Sequence, residues 1–563
     1  MKRYIKNTLA ALSIVALASS CGDFGDLNVD PEHSNSGNVN YQMVFTNAQH
    51  QALGSDWDVW RDGLIYLSQW NQHISAGGWW WSYGLNSYSN GYAAAYWGSV
   101  LGSGDRAAIR DIQTVISKWK DDPANQQNYQ IARIIRAYTF QRLTDLHGDI
   151  PYSEAGQPAE YPYPKYDTQK DIYMDLLKEL DEAQAALGSG VASLGKQELF
   201  YNGDVAKLKK FANSLMLRVA MRLTKVDDAT AKTYAAKAFA NGVITSNDDN
   251  CMLMHAGGVT TNDSSEPYAK IIVHEDPGVA FINTTFLDLL KSTNDPRIPL
   301  FMCVYPTDYE TKDVDPAKAE NAAPALQKAL PGFFSMSPSS DYSIKKYNDK
   351  EFTDEVLSDK NSDKYYKKAY SQPNRSTYGD PTGPTFVCTA AQTNLLLAEA
   401  ALRGYISGDA KTFYEAGVRC AMKQFSAFPS ANAKALVGTY LTDAAINAYL
   451  AANPYDAAKA YEQINTQYWI NCFFDEYETY ANWRRSGFPV LKVKTQLQPY
   501  FSSMGNWGPG IVRRMPYPSD EVQINGANYK EALNRLGLQT EDNFNDTRVW
   551  WDKKIDKDTS SIV

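Results

Sequence analysis

Apolar residues recur through most of the chain at intervals of three and four, the spacing that gathers them on one face of a helix. In 128–148, NYQIARIIRAYTFQRLTDLHG, the residues Ile131, Ile134, Ile135, Tyr138 and Leu146 make one stripe. In 171–187, DIYMDLLKELDEAQAAL, a second stripe joins Ile172, Leu176, Leu180, Ala183 and Leu187. Asp167 and Thr168 supply an N-cap for that run and Gly188 a stop. Three more runs follow the same rule: 205–223 (Leu208, Phe211, Leu215, Val219), 389–404 (Ala391, Leu395, Ala398, Leu402) and 461–483 (Tyr461, Tyr468, Cys472, Trp483). Alternating apolar and polar stretches are scarce, so the pattern predicts a mainly α body with little β. Long irregular insertions at roughly 255–385 and 495–530, rich in Pro, Gly, Ser and Tyr, interrupt it. Loops of that length in a folded body commonly carry function. No second linker breaks the chain after residue 40, which predicts a single body over 41–563, and no 34-residue self-similarity is visible.

The first twenty residues are different. MKRYIKN holds Lys2, Arg3 and Lys6 without an acid, and TLAALSIVALA follows, ending in small residues before Cys21. That is the pattern of a signal peptide over 1–20. Leu17-Ala18-Ser19-Ser20-Cys21 resembles a bacterial lipobox, which makes Cys21 the expected lipidation site and 21–40, polar and rich in Gly and Asn, a tether. Two or more acyl chains would anchor the protein stably. The leader's apolar run is about half the roughly 20 residues needed to cross a bilayer, and no later window comes closer.

Composition narrows the function classes. With 44% hydrophobic and 21% charged residues the chain is ordinary and globular. Its net charge is −9, and losing Lys2, Arg3 and Lys6 with the leader takes it to −12, which repels nucleic-acid backbones. Five cysteines beyond Cys21, with no CxxC pair, form neither a disulfide framework nor a zinc site. Cys388, Cys420 and Cys472 lie in helical runs, where a thiol usually serves as a small buried hydrophobe.

One stretch stands apart. Residues 75–84, SAGGWWWSYG, place Trp79, Trp80 and Trp81 side by side between glycines, and no regular element can bury three successive rings in one core. At least one ring is expected at a surface or groove, where its apolar face and polar edge suit sugar rings and also peptides. Tyr83 and Asn86 are the expected companions, and Tyr268, in SSEPYAK, is a further candidate from the long insertion.

Catalytic apparatus is hard to find in the sequence. There is no GxSxG elbow and no HExxH; His274-Glu275 runs into Asp276-Pro277, which ends any helix that could present a second histidine. GVASLGK at 190–196 lacks the Ser or Thr of a phosphate loop, since Gln197 follows. The acid pairs Asp227-Asp228 and Asp248-Asp249 lack the alternating oxygen ligands of a calcium loop and read as solvated turns. No catalytic residue, metal or cofactor is expected. A lipid-anchored hydrolase and a purely structural surface protein are the alternatives from other classes, because a glycosidase carboxylate pair is defined in space and not in sequence.

Several short motifs, in order, resemble the SusD/RagB family of outer-membrane nutrient-binding lipoproteins, and its divergent branch more than its founding starch binder. They are the lipobox with CGDFGDLNVDP, RIIRAYTFQRLTDLHGDIPYSEA at 133–155, FANSLMLRVAMRL at 211–223, NDPRI at 294–298, NLLLAEAALRG at 394–404, ETYANWRRSGFP at 478–489 and RRMPYPSDEVQIN at 513–525. The resemblance implies tetratricopeptide-like helical hairpins carrying a loop-rich ligand face. It also implies a binder without catalytic activity, seated on a SusC-type TonB-dependent barrel and capturing oligosaccharides or, in some members, oligopeptides at the cell surface. The motifs themselves read as fold-forming. Arg218 and Arg222, four apart beside an apolar stripe, are placed to meet carboxylates or helix ends, and WRRSGFP closes a helix with Gly487 and Pro489.

Overall fold

The computed structural model describes residues 39–76, 89–102, 106–257, 264–276, 278–304, 324, 327–329, 370–491, 511–540 and 547–553. The main helices are α1 (Tyr41–Ala52), α2 (Ala95–Leu101), α3 (Ala108–Trp119), α4 (Gln126–His147), α5 (Gln169–Ala186), α6 (Val205–Arg222), α7 (Asp228–Asn241), α8 (Ala390–Leu402), α9 (Ala410–Lys423), α10 (Ala460–Asn471), α11 (Glu476–Ser486) and α12 (Gly526–Arg535). Neighbours in sequence pack on one another: α3 on α4, α4 on α5, α5 on α6, α6 on α7, and α8 on α9, while α10 joins α8 and α11. These are the expected helical hairpins.

Local chemistry sets the ends. Thr168 accepts a hydrogen bond from the Asp171 amide and caps α5, as its sequence predicts. Gly148 leaves α4 at φ +89°, a conformation L side chains rarely adopt, and Gly487 ends α11 in the left-handed region at φ +80°. The acid pairs are structural: Asp227 caps α7, Asp228 accepts from the Tyr405 hydroxyl, and Asp249 pairs with Lys210 at 2.7 Å. Among the described residues no cluster of His, Cys, Asp and Glu could hold a metal.

Strands are few and short, and they clip distant segments together as antiparallel pairs. β1 (Ile74–Ala76) pairs with β5 (Ala280–Ile282), β2 (Ile150–Pro151) with β3 (Tyr166–Asp167), β4 (Cys251–Met254) with β8 (Pro384–Cys388), and β6 (Met302–Cys303) with β7 (Gln372–Pro373).

The structure departs from the sequence pattern in three places. The run 461–483 is two helices, broken at 472–475, where Phe474 takes φ +66° and its ring stacks on Phe473 at 4.5 Å and on Tyr268 at 4.6 Å. The insertions are partly regular: Thr284–Ser292 is helical within the first, and α12 begins within the second. Cys388 ends strand β8 and Cys472 caps α10, both buried, while Cys420 on α9 is partly exposed.

A set of buried arginines holds the hairpins together. Arg218, Arg222, Arg297, Arg484, Arg485 and Arg514 are among the largest fully buried side chains. Arg222 on α6 donates to Glu478 on α11 at 2.6 Å, and Arg218 lies 3.7 Å from the same carboxylate, the pairing that the four-residue spacing predicts. Arg485 donates to both oxygens of Glu399 on α8, at 2.6 and 2.7 Å, and Arg403 adds a bond of 2.9 Å. Burial alone would raise the Glu399 carboxyl, but these guanidinium groups hold it at about 2, below its ordinary 4.5. Its folded value is depressed, so the stabilisation is complete above pH 4.5 and disappears as pH falls towards 2. Acid unfolding of the wild type between those limits should therefore be shallower in Glu399→Gln, measured by circular dichroism against pH.

Candidate functional site

Tryptophans 79–81, with Tyr83 and Asn86, lie outside the described residues, as does Cys21, but both ends of their segment are fixed. On one side β1 is clipped to β5. On the other, the Ser89 amide donates to the Tyr66 hydroxyl at 3.1 Å, Asn90 donates to Asp520 at 2.6 Å, and the Ser519 amide returns a bond to Asn90 at 2.7 Å.

Between these anchors sits an unusual cation. Val59–Leu67 is a π-helix, a form that often marks functional sites. Arg61, on its first turn, is 5% exposed. Its guanidinium carbon lies 3.8 Å from the ring centre of Trp57, 3.8 Å from that of Trp60 and 4.4 Å from that of Tyr92, three residues beyond Ser89. Nε and one Nη have no hydrogen-bond partner. Burial pulls the guanidinium below its ordinary proton affinity, with Tyr92, Asp276 and Asp56 opposing. Aromatic faces compensate part of that burial, but they leave N–H donors unused. Trp57 is 42% exposed, so the cage has an open wall. The arrangement offers a flat ring and unspent donors side by side, which is what a hydroxyl- or amide-bearing ring needs.

The π-helix is braced from behind. Pro267–Lys270 packs on it, and Tyr268 brings its hydroxyl so close to Gly63 that a Cβ there would lie 2.8 Å from the oxygen. Lys270 also reaches Asp56 at 2.5 Å. A cleft of about 490 Å³ borders the Asn90 anchor, lined by Trp97, Gly98, Tyr161, Pro162, Pro518 and Asp520 among others. At its floor Glu521 accepts from the Tyr166 hydroxyl at 2.5 Å, and burial raises the Glu521 carboxyl.

Residues 81–518 match a family model described as SusD-like, starch-binding associating with outer membrane. The chain belongs to the SusD-like family. Among solved structures, a chitin-binding protein is 31% identical, with a TM-score of 0.73 over 92% of this chain and 100% of its own. A SusD-like protein of Bacteroidetes AC2a is 27% identical, with a TM-score of 0.74 and the same coverage of 92% and 100%. A SusD homologue from Bacteroides uniformis is 25% identical, with a TM-score of 0.67, again over 92% and 100%. No curated protein sequence matches the chain. The SusD-like neighbours share the helical, tetratricopeptide-containing architecture, and proteins of the SusD-like family are binders rather than enzymes. No helix among the described residues is long and apolar enough to cross a membrane.

Of the expected ligand contacts, Tyr268 is the one that falls among the described residues. Tyr268 is an interior residue, 5% exposed, with one ring face covered by Phe474, because the insertion that carries it folds back onto the π-helix. It braces the π-helix at Gly63. Arg61 is the residue that sequence reasoning misses. Part of its signal was available: Trp57, Trp60 and Arg61 stand at i, i+3 and i+4, so a helix there sets both the second indole and the cation beside Trp57.

Proposed function

We propose that this SusD-like chain is a lipid-anchored binder of oligosaccharides, working at the outer membrane and delivering its ligand to a SusC-type TonB-dependent barrel. The observation that carries the reading is the match of 81–518 to a starch-binding, outer-membrane-associating family. The likeness to a chitin-binding protein supports the same ligand class. In this reading Trp79, Trp80, Trp81, Tyr83 and Asn86 contact the sugar directly. Trp57 extends the apolar platform at the base of their segment, and Arg61 supplies donors to hydroxyl or acetamido oxygens.

The test is affinity electrophoresis and calorimetry of the mature chain against soluble starch, glycol chitin and other glycans, with a defined peptide mixture in parallel. Saturable glycan binding is expected. Binding of peptides alone would transfer the architecture to oligopeptide uptake, and release of shortened products from any polymer would replace binder with hydrolase. Co-purification of a large barrel protein from detergent-solubilised outer membranes checks the delivery step.

A further inference from the structure

Far along the chain from Arg61, a second group of cations is left without enough negative charge. Leu223–Lys225 forms a short 3-10 turn that continues α6. Lys225 is drawn towards Asp552 and repelled by Arg485, Arg513 and Arg548. Arg485 is already spent on Glu399. Asp552 is spent as well: Arg513 holds both its oxygens, at 2.8 and 2.5 Å, and Arg548 adds a third bond at 3.1 Å. Asp552 is 1% exposed, so three partly exposed cations face one buried carboxylate.

Unused donors mark the same corner. The Lys225 ammonium has no hydrogen-bond partner, and neither has the hydroxyl of the adjacent Thr224, which is 8% exposed. Trp483 is 7% exposed with its indole N–H unpaired, and the Arg513 guanidinium lies 4.6 Å from its ring centre. Buried donors normally find acceptors, so three of them around a positive excess describe the complement of an anion. Burial and the neighbouring guanidinium groups bring Lys225 down to about 8, against the pull of Asp552, which is the state of a lysine lacking its counter-charge.

The geometry points to an oxyanion site, built from Lys225, Thr224 and Trp483 with Arg548 and Arg513 behind them, for a tetrahedral phosphate or sulfate group. An ammonium, a hydroxyl, an indole N–H and guanidinium N–H groups come from four separate segments, and four acceptor oxygens can use such a set better than the two of a carboxylate. The group could arrive as a free ion, as an ester on a ligand or as a lipid headgroup, and all present the same chemistry.

Calorimetric titration of the folded mature chain with sodium sulfate and sodium phosphate, against chloride at equal ionic strength, tests the site. Saturable binding at one site is expected, weakened about tenfold or more by Lys225→Met and retained by Lys225→Arg. Trp483→Phe keeps the ring, loses only the N–H, and should weaken binding less. Co-sedimentation with phosphatidylglycerol vesicles, with phosphatidylcholine as control, separates the sources: vesicle binding that free sulfate competes away and Lys225→Met abolishes assigns a headgroup phosphate. Equal responses of the wild type and Lys225→Met, or no saturable binding of sulfate, phosphate or vesicles, would overturn the proposal. Retention by Lys225→Arg, together with an unchanged melting profile of each variant, distinguishes lost binding from lost folding.

Discussion

Replacing Arg485 with methionine is expected to lower the unfolding free energy by about 3–5 kcal/mol, the range for removing one partner of a buried ion pair. The side chain is completely buried and makes two bonds to Glu399, and it also meets Asn465 and Asn482 at 3.0 and 2.8 Å. Methionine fills similar space but leaves the buried Glu399 carboxylate with Arg403 as its charged partner and a long bond from Asn465. The loss should appear as a lower midpoint in chemical denaturation. The double variant Arg485→Met/Glu399→Leu should recover much of it, because replacing both members by apolar groups removes the uncompensated charge. If the double variant were as unstable as the single one, shape rather than charge would be what this pair supplies.

The second large effect concerns binding. Arg61→Gln is expected to weaken glycan affinity by about tenfold or more, the value of charged hydrogen bonds of about 1.5–3 kcal/mol. The same change should leave stability level or slightly raised, since it removes a buried cation whose Nε and one Nη have no partner. These opposite signs are the point of the experiment. A purely structural arginine would show the reverse, with stability lost and affinity intact. Calorimetric titration with the best glycan, beside chemical denaturation, reads both.

The helical scaffold was largely legible because its signal is local. The stripe through Ile131, Ile134, Ile135 and Tyr138, and the cap at Thr168, depend on spacing within a few turns, and α4 and α5 fall where those residues place them. The break after Cys472 was not legible. Phe473 and Phe474 continue the apolar pattern, and what turns the chain there is stacking on Tyr268, some two hundred positions earlier. Arg218 and Arg222 were readable from their spacing, whereas the burial of Arg484 and Arg485 followed only from distant partners, Asp145 on α4 and Glu399 on α8. Of the proposed ligand contacts, the tryptophan cluster was picked out from composition alone. Arg61 stayed hidden because the eye assigns a lone arginine to solvent, and the burial of Tyr268 was not legible because a tyrosine in a long insertion gives no hint of the surface it folds onto.

The polar links described above also bear on how such a body can change over generations. Asn71 bonds Glu476, Arg222 bonds Glu478, and the Trp469 indole reaches the Asn71 carbonyl, so residues near the start of the helical body are committed to residues near its end. Neither half can be exchanged for a foreign one without orphaning buried charge. Recombination should therefore carry these helices together as one block, because a crossover between them would leave buried partners unmatched.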